Sequence, residues 1–227
     1  MKYKNILKRG NFIMNNRNKE IWEEIYSKGL SNLEYPNEMF VRLFNKNFVN
    51  NKIGTILDYG FGAGANLIHM AKQNCEVFGV EVSESAISIV QKKLAENSLT
   101  AELLKIEDGR LPFEDNHFDM VVAWQVLVYN NLDTFKKAMS EINRVLKPGG
   151  LFLGTMTAVR DISHVMSDRI GDYEYTSKVP SQEGATCIIV DKGDLQLLFE
   201  DKIIDIGEYY YDFGNSISRH WIVTYKN

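Results

Sequence analysis

The residues best suited to chemistry form a short loop that begins with a carboxylate and continues with alternating glycines. Asp58 ends an apolar run, and it is followed by Gly60, Gly62 and Gly64. A buried strand accounts for the apolar run, and glycines let a backbone turn sharply where a Cβ would collide with a ligand. Because Ala65 then opens a helical pattern, the spacing predicts a nucleotide-type pocket at the carboxyl end of a first strand.

Two ligand classes fit this loop, and they make opposite electrostatic demands. Gly60, Gly62 and Ala65 have the spacing of a dinucleotide fingerprint, whose pyrophosphate needs free N–H groups and a positive helix end. Gly60, Gly62 and Gly64, with Asp58 before them, resemble motif I of the class I methyltransferases that use S-adenosylmethionine (SAM). SAM has no phosphate and carries a sulfonium and an ammonium. Asp58 therefore favours SAM, because a carboxylate attracts a cation and repels a pyrophosphate.

Acidic residues also follow the next two apolar runs. Glu81 comes directly after residues 77–80, where a carboxylate can accept hydrogen bonds from ribose hydroxyls. NAD and SAM both have that ribose, so Glu81 predicts a nucleoside ligand without choosing between them. Glu107 and Asp108 follow the third run, where an acid can accept from the exocyclic amine of adenine. A register of one residue decides which of these two acids faces the base.

Short apolar runs alternate with helical patterns from residue 53 onward. The runs predict strands over residues 53–57, 75–80, 101–106, 118–123 and 151–156. The patterns between and after them predict helices over residues 65–73, 84–97 and 133–147. Such alternation indicates βαβ units and a parallel sheet.

The two ends of the chain have a different character. Residues 1–52 are predicted to form a helical arm or cap, with amphipathic helices over 19–29 and 37–48, and residues 53–227 the main domain. Residues 159–184 are polar and too long for a plain connection, so we expect a lid that orders on substrate binding. After a helix over 191–200, strand patterns at 203–211 and 217–226 predict a hairpin with an antiparallel edge.

The composition limits which binding partners and which cellular compartment we expect for this protein. The formal net charge is −4, so we expect no nucleic acid partner. Cys75 and Cys187 lack metal-ligand spacing, which predicts a reduced interior and no metal site. No apolar run approaches the ~20 residues of a membrane span, and residues 1–14 lack the features of a signal peptide. We expect a cytoplasmic protein that has no membrane partner and is a monomer or a homodimer. Met14 is a possible alternative start of the chain, and residues 1–13 would then be an extension.

Further segments in the same order resemble the small-molecule, type 11-like branch of class I SAM-dependent methyltransferases. They are Leu-Pro-Phe-Glu-Asp-Asn-His-Phe-Asp at 111–119, Val-Val-Ala-Trp-Gln-Val-Leu at 121–127 and Glu-Ile-Asn-Arg-Val-Leu-Lys-Pro-Gly-Gly at 141–150. With the glycine loop and Glu81, the resemblance covers roughly residues 53–156. Dehydrogenases do not typically carry the Lys-Pro-Gly-Gly segment, so the resemblance favours SAM over NAD.

The resemblance implies an α/β, Rossmann-like fold with SAM as cofactor and S-adenosylhomocysteine (SAH) as product. Its mostly parallel sheet would have seven strands in the order 3-2-1-4-5-7-6, with strand seven antiparallel and helices on both faces. The implied cofactor contacts are Asp58, Tyr59, Gly60, Gly62 and Gly64 at the methionine end, Glu81 at the ribose, Val82 with Glu107 or Asp108 at the adenine, and Trp124 and Gln125 near the sulfonium. Tyr26 resembles an aromatic residue that closes over SAM, with an ordinary core or surface tyrosine as the alternative.

One departure from the family pattern concerns proton transfer. Many relatives have a histidine where this chain has Val128 and Tyr129. Tyr129 is a candidate substrate contact, whereas Val128 cannot move a proton. His164 and His220 are the other weak catalytic candidates. Methyl transfer depends mainly on orientation, which can contribute ~7–11 kcal/mol, and needs a base only where the nucleophile must lose a proton early.

The leading hypothesis is a methyltransferase that moves a methyl group from SAM to a small-molecule acceptor by in-line displacement. A methyltransferase acting on protein or RNA, a SAM-binding protein without turnover and an NAD enzyme are the alternatives. The Asp/Asn-Pro-Pro-Tyr signature of many nucleic acid methyltransferases is absent, since none of the four prolines are adjacent.

Overall fold

The computed structural model describes residues 16–107, 109–200 and 202–227. The proposed extension over residues 1–13 and the candidate Asp108 lie outside the described residues. Two helices come first, α1 (Asn16–Ser27) and α2 (Glu38–Asn50). α2 begins where Asn37 caps it, because the Asn37 side chain accepts hydrogen bonds from the first free N–H groups of the helix.

A parallel sheet follows, and its order confirms the predicted arrangement. Its strands are β1 (Thr55–Tyr59), β2 (Glu76–Glu81), β3 (Glu102–Lys105), β4 (Phe118–Ala123) and β5 (Leu146–Ala158). The intervening helices are α3 (Ala65–Ala71), α4 (Glu84–Glu96) and α5 (Leu132–Val145). Neighbouring strands pair in the order β3-β2-β1-β4-β5. The carboxyl ends of β1 and β4 therefore lie side by side, which is where open α/β sheets bind ligands.

The carboxyl-terminal third adds five more strands. In chain order it contains α6 (Ile162–Val165), β6 (Ser167–Arg169), β7 (Glu174–Ser177), β8 (Thr186–Val190), α7 (Lys192–Leu198), β9 (Asp205–Asp212) and β10 (Ile217–Lys226). β10 runs antiparallel between β5 and β9. β10 and β9 thus take the places predicted for strands seven and six, and the antiparallel edge is confirmed.

The sheet has ten strands instead of the predicted seven. The three additional strands, β6, β7 and β8, form an antiparallel group, and β8 pairs with the last two residues of β5. β6 and β7 fall inside the segment 159–184. Strands of three and four residues leave too little alternation for a sequence pattern to reveal, so they were not predicted.

β5 also begins earlier than expected, at Leu146 instead of residue 151. Helix α5 ends at Val145, two residues before its predicted end at 147, so the Lys-Pro-Gly-Gly segment already belongs to β5. This segment is held by the chain's last residue, because Gly149 N–H donates to the Asn227 carbonyl and Asn227 N–H donates to that of Gly150. Within the described part of the chain, no helix has both the length and the apolar character needed to cross a bilayer.

Candidate active site

A cleft lies at the carboxyl ends of β1, β2 and β4, and α1 covers it. It has an inner compartment of about 620 Å³, solvent-open space included, lined by residues such as Tyr59, Glu81 and Ile106. The outer compartment, about 980 Å³ on the same basis, is lined by the glycine loop, by residues of α1 and of the 159–184 segment, and by Trp124 and Gln125, which follow β4. Both compartments share the wall residues Trp22, Tyr26, Gly60, Gln125 and Tyr129. Without the open solvent the outer compartment encloses about 320 Å³, which is within the range of small-molecule sites, whereas the inner compartment encloses only about 70 Å³.

The glycine loop is required by the protein's own packing. Gly60, Gly62 and Gly64 have φ values of 72°, 53° and 83°, which side chains with a Cβ rarely adopt. A Cβ on Gly60 would collide with the Val126 side chain, and one on Gly62 with the Tyr26 hydroxyl. The loop thus turns tightly beneath α1, and its glycines serve this close approach as well as any ligand.

Two buried carboxyl groups lie on the neighbouring strands β1 and β2. Glu81 accepts hydrogen bonds from the backbone N–H groups of Gly62, Val82 and Ser83, at 2.9, 2.7 and 3.1 Å. Burial nevertheless raises the pKa of Glu81, and these bonds offset only part of that effect. Asp58 is also buried, and its Oδ2 has no hydrogen-bond partner among the described residues. Burial, followed by the charge of Glu81, raises the pKa of Asp58 to about 8.

This pair defines the electrostatics of the cleft. An anion placed here would oppose the ionisation of both acids in a poorly hydrated region, whereas a cation would favour the ionised form of both. The site is therefore suited to a positively charged ligand.

Helix α1 is tied to the rest of the molecule at both ends of the cleft. Glu23 accepts from the hydroxyls of Ser83 and Ser85, at 2.7 and 2.6 Å, where α4 begins. Asn18 is buried, and its amide donates to the carbonyls of Tyr129 and Thr186 at 2.8 and 2.9 Å. These two residues hold the cover, and sequence reasoning missed both. A polar Asn18 on the buried face of an amphipathic helix was the available signal, since buried amides need partners.

Part of the chain is similar in sequence to known proteins. Residues 56–150 match a family model described as a methyltransferase domain. These residues, fewer than half of the chain, are similar to that methyltransferase domain family.

Relatives of the methyltransferase domain support this assignment. The demethylmenaquinone methyltransferase of Staphylococcus aureus is 37% identical over 101 residues, which are 42% of this chain and 39% of that protein. A sterol 4-C-methyltransferase of Caenorhabditis elegans is 35% identical over 100 residues, 43% of this chain and 29% of that protein. The chain thus spans about two fifths or less of the length of these curated relatives.

A solved structure extends the similarity of the fold beyond the methyltransferase domain. It is the 1,6-didemethyltoxoflavin-N1-methyltransferase of Burkholderia thailandensis, with bound 1,6-didemethyltoxoflavin and SAH. The TM-score is 0.72, and the match covers 93% of this chain and 88% of that one. At 14% identity the likeness establishes the fold.

The structure brings most of the predicted cofactor contacts together around the cleft. Those that line it are Tyr26, Tyr59, Gly60, Gly62, Gly64, Glu81, Val82, Trp124 and Gln125. Asp58 lies buried directly before the loop. Glu107 is exposed, with its carboxylate 4.0 Å from Lys105 Nζ, and Ile106 lines the inner compartment at this position instead. The alternative acid, Asp108, is not among the described residues.

The catalytic candidates are dispersed. Tyr129 lines both compartments. His164 packs edge-on against Tyr175, with ring centroids 5.3 Å apart, and its Nδ1 accepts from the Arg160 N–H. His220 is buried behind the cleft and stacks on Tyr209, 5.0 Å between centroids. Neither histidine is part of the cleft lining that the structure describes.

Proposed function

We propose that this protein transfers a methyl group from SAM to a small-molecule acceptor and releases SAH. One observation carries the proposal: the buried carboxyl group of Asp58 lies at the end of β1, directly before the glycine loop, where a dinucleotide would place its pyrophosphate. Asp58 Oδ2 is buried without a hydrogen-bond partner among the described residues. This supports a cationic cofactor over a phosphorylated one.

The residues present fit SAM in other respects. Glu81 offers about four lone-pair positions, and backbone N–H groups use three of them, so a position remains for a ribose hydroxyl. Ile106 and Val82 provide apolar contacts in the inner compartment. Gln125 and Trp124 lie in the outer compartment beside the glycine loop, where the methionine end would be held.

When bound, SAM supplies a methyl carbon that its sulfonium makes electrophilic. The protein's part is to orient and to exclude water, which α1 does by closing over the compartments that Tyr26 and Trp22 line. The small-molecule acceptor is supported by the relatives named for demethylmenaquinone and a sterol. It is supported also by the net charge of −4, which does not favour nucleic acid. A SAM-binding protein without turnover is the alternative, because the described cleft lining holds no histidine.

Calorimetry with SAM, SAH and NADH tests the cofactor. We expect SAM and SAH to bind and NADH to show no heat beyond dilution; preferential binding of NADH would overturn the proposal. Release of labelled methyl to metabolite pools, and not to RNA or protein, then separates the acceptor classes. Binding without any transfer would instead favour the alternative without turnover.

Glu81→Ala provides the matching residue test. Loss of a hydrogen bond to a charged group costs ~1.5–3 kcal/mol, so SAM affinity should drop about ten- to hundredfold. Glu102→Ala is the matched control, since Glu102 is an exposed glutamate on the adjacent strand β3. Thermal unfolding without ligand checks that the variant is folded, because Glu81 also holds three backbone N–H groups. A folded variant with unchanged affinity would remove Glu81 from the site.

A further inference from the structure

Two walls of the outer compartment come from separate parts of the chain. One is the glycine loop, and the other is the connection between α1 and α2, residues 28–37. The residues of this connection that line the compartment are Ser31, Leu33, Tyr35 and Asn37. The methionine end of the proposed cofactor would lie between these walls, so their separation determines how well it fits.

The 28–37 connection is only weakly anchored by its own apolar side chains. Leu30, Leu33 and Tyr35 are exposed, so they bury little apolar area against the core. The Leu30 N–H group donates within the same stretch of chain, to the Ile25 carbonyl at 2.9 Å. A segment of this kind opens easily unless contacts from elsewhere in the fold hold it.

Lys93, on α4, fastens this connection to the glycine loop. Its Nζ donates to Asn32 Oδ1 and the Leu33 carbonyl at 2.9 and 3.0 Å, and to the Ala63 carbonyl at 3.1 Å. The Glu34 carboxylate lies 3.6 Å from the same nitrogen. An ammonium group has three N–H donors, and these three acceptors use all of them. The Lys93 side chain is only 12% exposed, so water competes little for these charge-assisted bonds.

Helix α4 supports the glycine loop at a second point on the same face. Val90 lies one turn before Lys93, and a Cβ on Gly64 would be 2.5 Å from Val90 Cγ2. The glycine at this position thus lets the loop lie directly against α4. Lys93 itself is not among the described residues that line either compartment, so it can affect a ligand only through the walls that it joins.

Resting on the proposed function, we propose that Lys93 is a positioning residue for the methionine end of SAM. It holds the 28–37 connection and the Ala63 carbonyl at a fixed separation, so the outer compartment is formed before the ligand arrives. Without the ammonium group, the connection would have to be ordered during binding, and the lost entropy would weaken the affinity.

The inner compartment should be insensitive to the loss of Lys93. Over the described residues its lining includes no member of the 28–37 connection, and of residues 60–64 it includes only Gly60. The proposal therefore predicts weaker binding of the methionine end alone, whereas a general loosening of the fold would weaken every part of the ligand.

Two ligands that share the adenosine and the sulfur test this difference. SAH has the amino acid end, and 5′-methylthioadenosine lacks it. Calorimetry gives both dissociation constants, with displacement of SAH where binding is weak. Lys93→Met keeps a flexible apolar side chain but lacks the ammonium group. We expect it to lower the affinity for SAH about tenfold or more and to leave that for methylthioadenosine within about twofold of the natural protein.

Lys92→Met is the matched control, because Lys92 is 78% exposed and lies 3.8 Å from the Glu96 carboxylate on the outside of the same helix; it should change neither affinity. Thermal unfolding without ligand checks that Lys93→Met is folded. Unchanged affinity for SAH in the folded variant, or an equal loss for both ligands, overturns the inference.

Asn32→Ala decides the case if Lys93→Met does not fold. It removes one of the three acceptors and leaves the ammonium group in place, so it should weaken SAH about threefold without affecting methylthioadenosine. No selective loss for SAH in this variant would reject the role of Lys93. If the natural protein itself does not bind SAH, the proposed function fails; if it binds SAH but the variants show no selective loss, only the role of Lys93 fails.

Discussion

Asp58 is the single residue that most directly favours the cationic ligand that we propose. Its carboxyl group is buried next to Glu81 and has a pKa of about 8, so at neutral pH it mostly holds a proton. A cation bound nearby would stabilise the carboxylate and draw that proton off. The energetic conflict in the free protein is therefore relieved by the ligand that we propose.

We expect SAM affinity to rise with pH because of this residue. Below the pKa of Asp58, binding a cation must release a proton, so affinity should rise by up to about tenfold per unit from pH 6 to pH 8 and level off above. Burial raises the pKa of Glu81 in the same direction, and the amine of SAM titrates as well. Calorimetry on Asp58→Asn separates these contributions, since only the part due to Asp58 should vanish. Identical pH profiles for the two proteins would contradict the role of Asp58.

The same substitution should stabilise the free protein at alkaline pH. The unfolded chain loses the Asp58 proton near pH 4, whereas the folded protein loses it near pH 8. Between these values the folded state binds more protons, so Asp58 lowers the free energy of unfolding as the pH rises. Asp58→Asn should therefore melt at a higher temperature than the natural protein at pH 8.5, with the difference fading toward pH 4. A lower melting temperature at pH 8.5 would show that the carboxylate is stabilised by the fold.

Helix α1 connects the cleft to α4 at the scale of secondary-structure elements. We expect Glu23→Ala to speed the dissociation of SAH about tenfold or more, because Ser83 and Ser85 lose a charged acceptor worth ~1.5–3 kcal/mol. Stopped-flow fluorescence of the tryptophans follows release. Glu24→Ala is the control, since Glu24 lies on the exposed side of the same helix. Equal rates for both variants would show that α1 is not the cover that retains the cofactor.

The 159–184 segment is proposed as a lid, and its structure makes that proposal sharper. The 3-10 turn Pro180–Gln182 brings Gln182 to the outer compartment, whereas β7 is already paired with β8. Hydrogen exchange should therefore slow around Gln182 when SAH and an acceptor found by labelled-methyl transfer are both bound, and change little in β7, which serves as the internal reference. Exchange at Gln182 that is the same with and without ligands would argue against a lid.

At the scale of the whole molecule, two of the motifs that carry the family resemblance stabilise the fold. Arg144 donates to the carbonyls of Leu111 and Phe113 at 2.9 and 2.8 Å, and it pairs with Glu141 and Asp115. One guanidinium thus fastens the Leu-Pro-Phe segment to α5. The two motifs that Arg144 joins are linked by structure and are not among the residues lining the described cleft.

We expect Arg144→Leu to lower the free energy of unfolding by ~2–4 kcal/mol, because four acceptors lose a charged donor. Chemical denaturation measures this, and calorimetry should find SAH affinity within about twofold of the natural protein. Arg42→Leu is the control, since its exposed pair with Glu38 contributes only ~0–1 kcal/mol. A stable Arg144 variant that no longer binds SAH would assign this residue to the site.

The sequence by itself determined seven strands of the sheet and the place of the candidate cleft. The strands were predicted from apolar runs, because a buried strand needs consecutive apolar residues. Their order and the antiparallel edge followed from the alternation of these runs with helices and from the resemblance. The glycine loop and Glu81 were found in the same way, since each lies directly after a strand. Signals of this kind lie in consecutive residues, so they can be read without knowledge of the rest of the fold.

Only the tertiary structure decided which distant residues complete the cleft. Asn18, Gln182 and Tyr129 meet because α1 and the carboxyl-terminal strands fold over the same sheet edge, and no spacing along the chain encodes that meeting. A register of one residue put Ile106 into the lining and left Glu107 in solvent. Such choices depend on packing between segments far apart in the chain, whose energies appear only when the chain is folded.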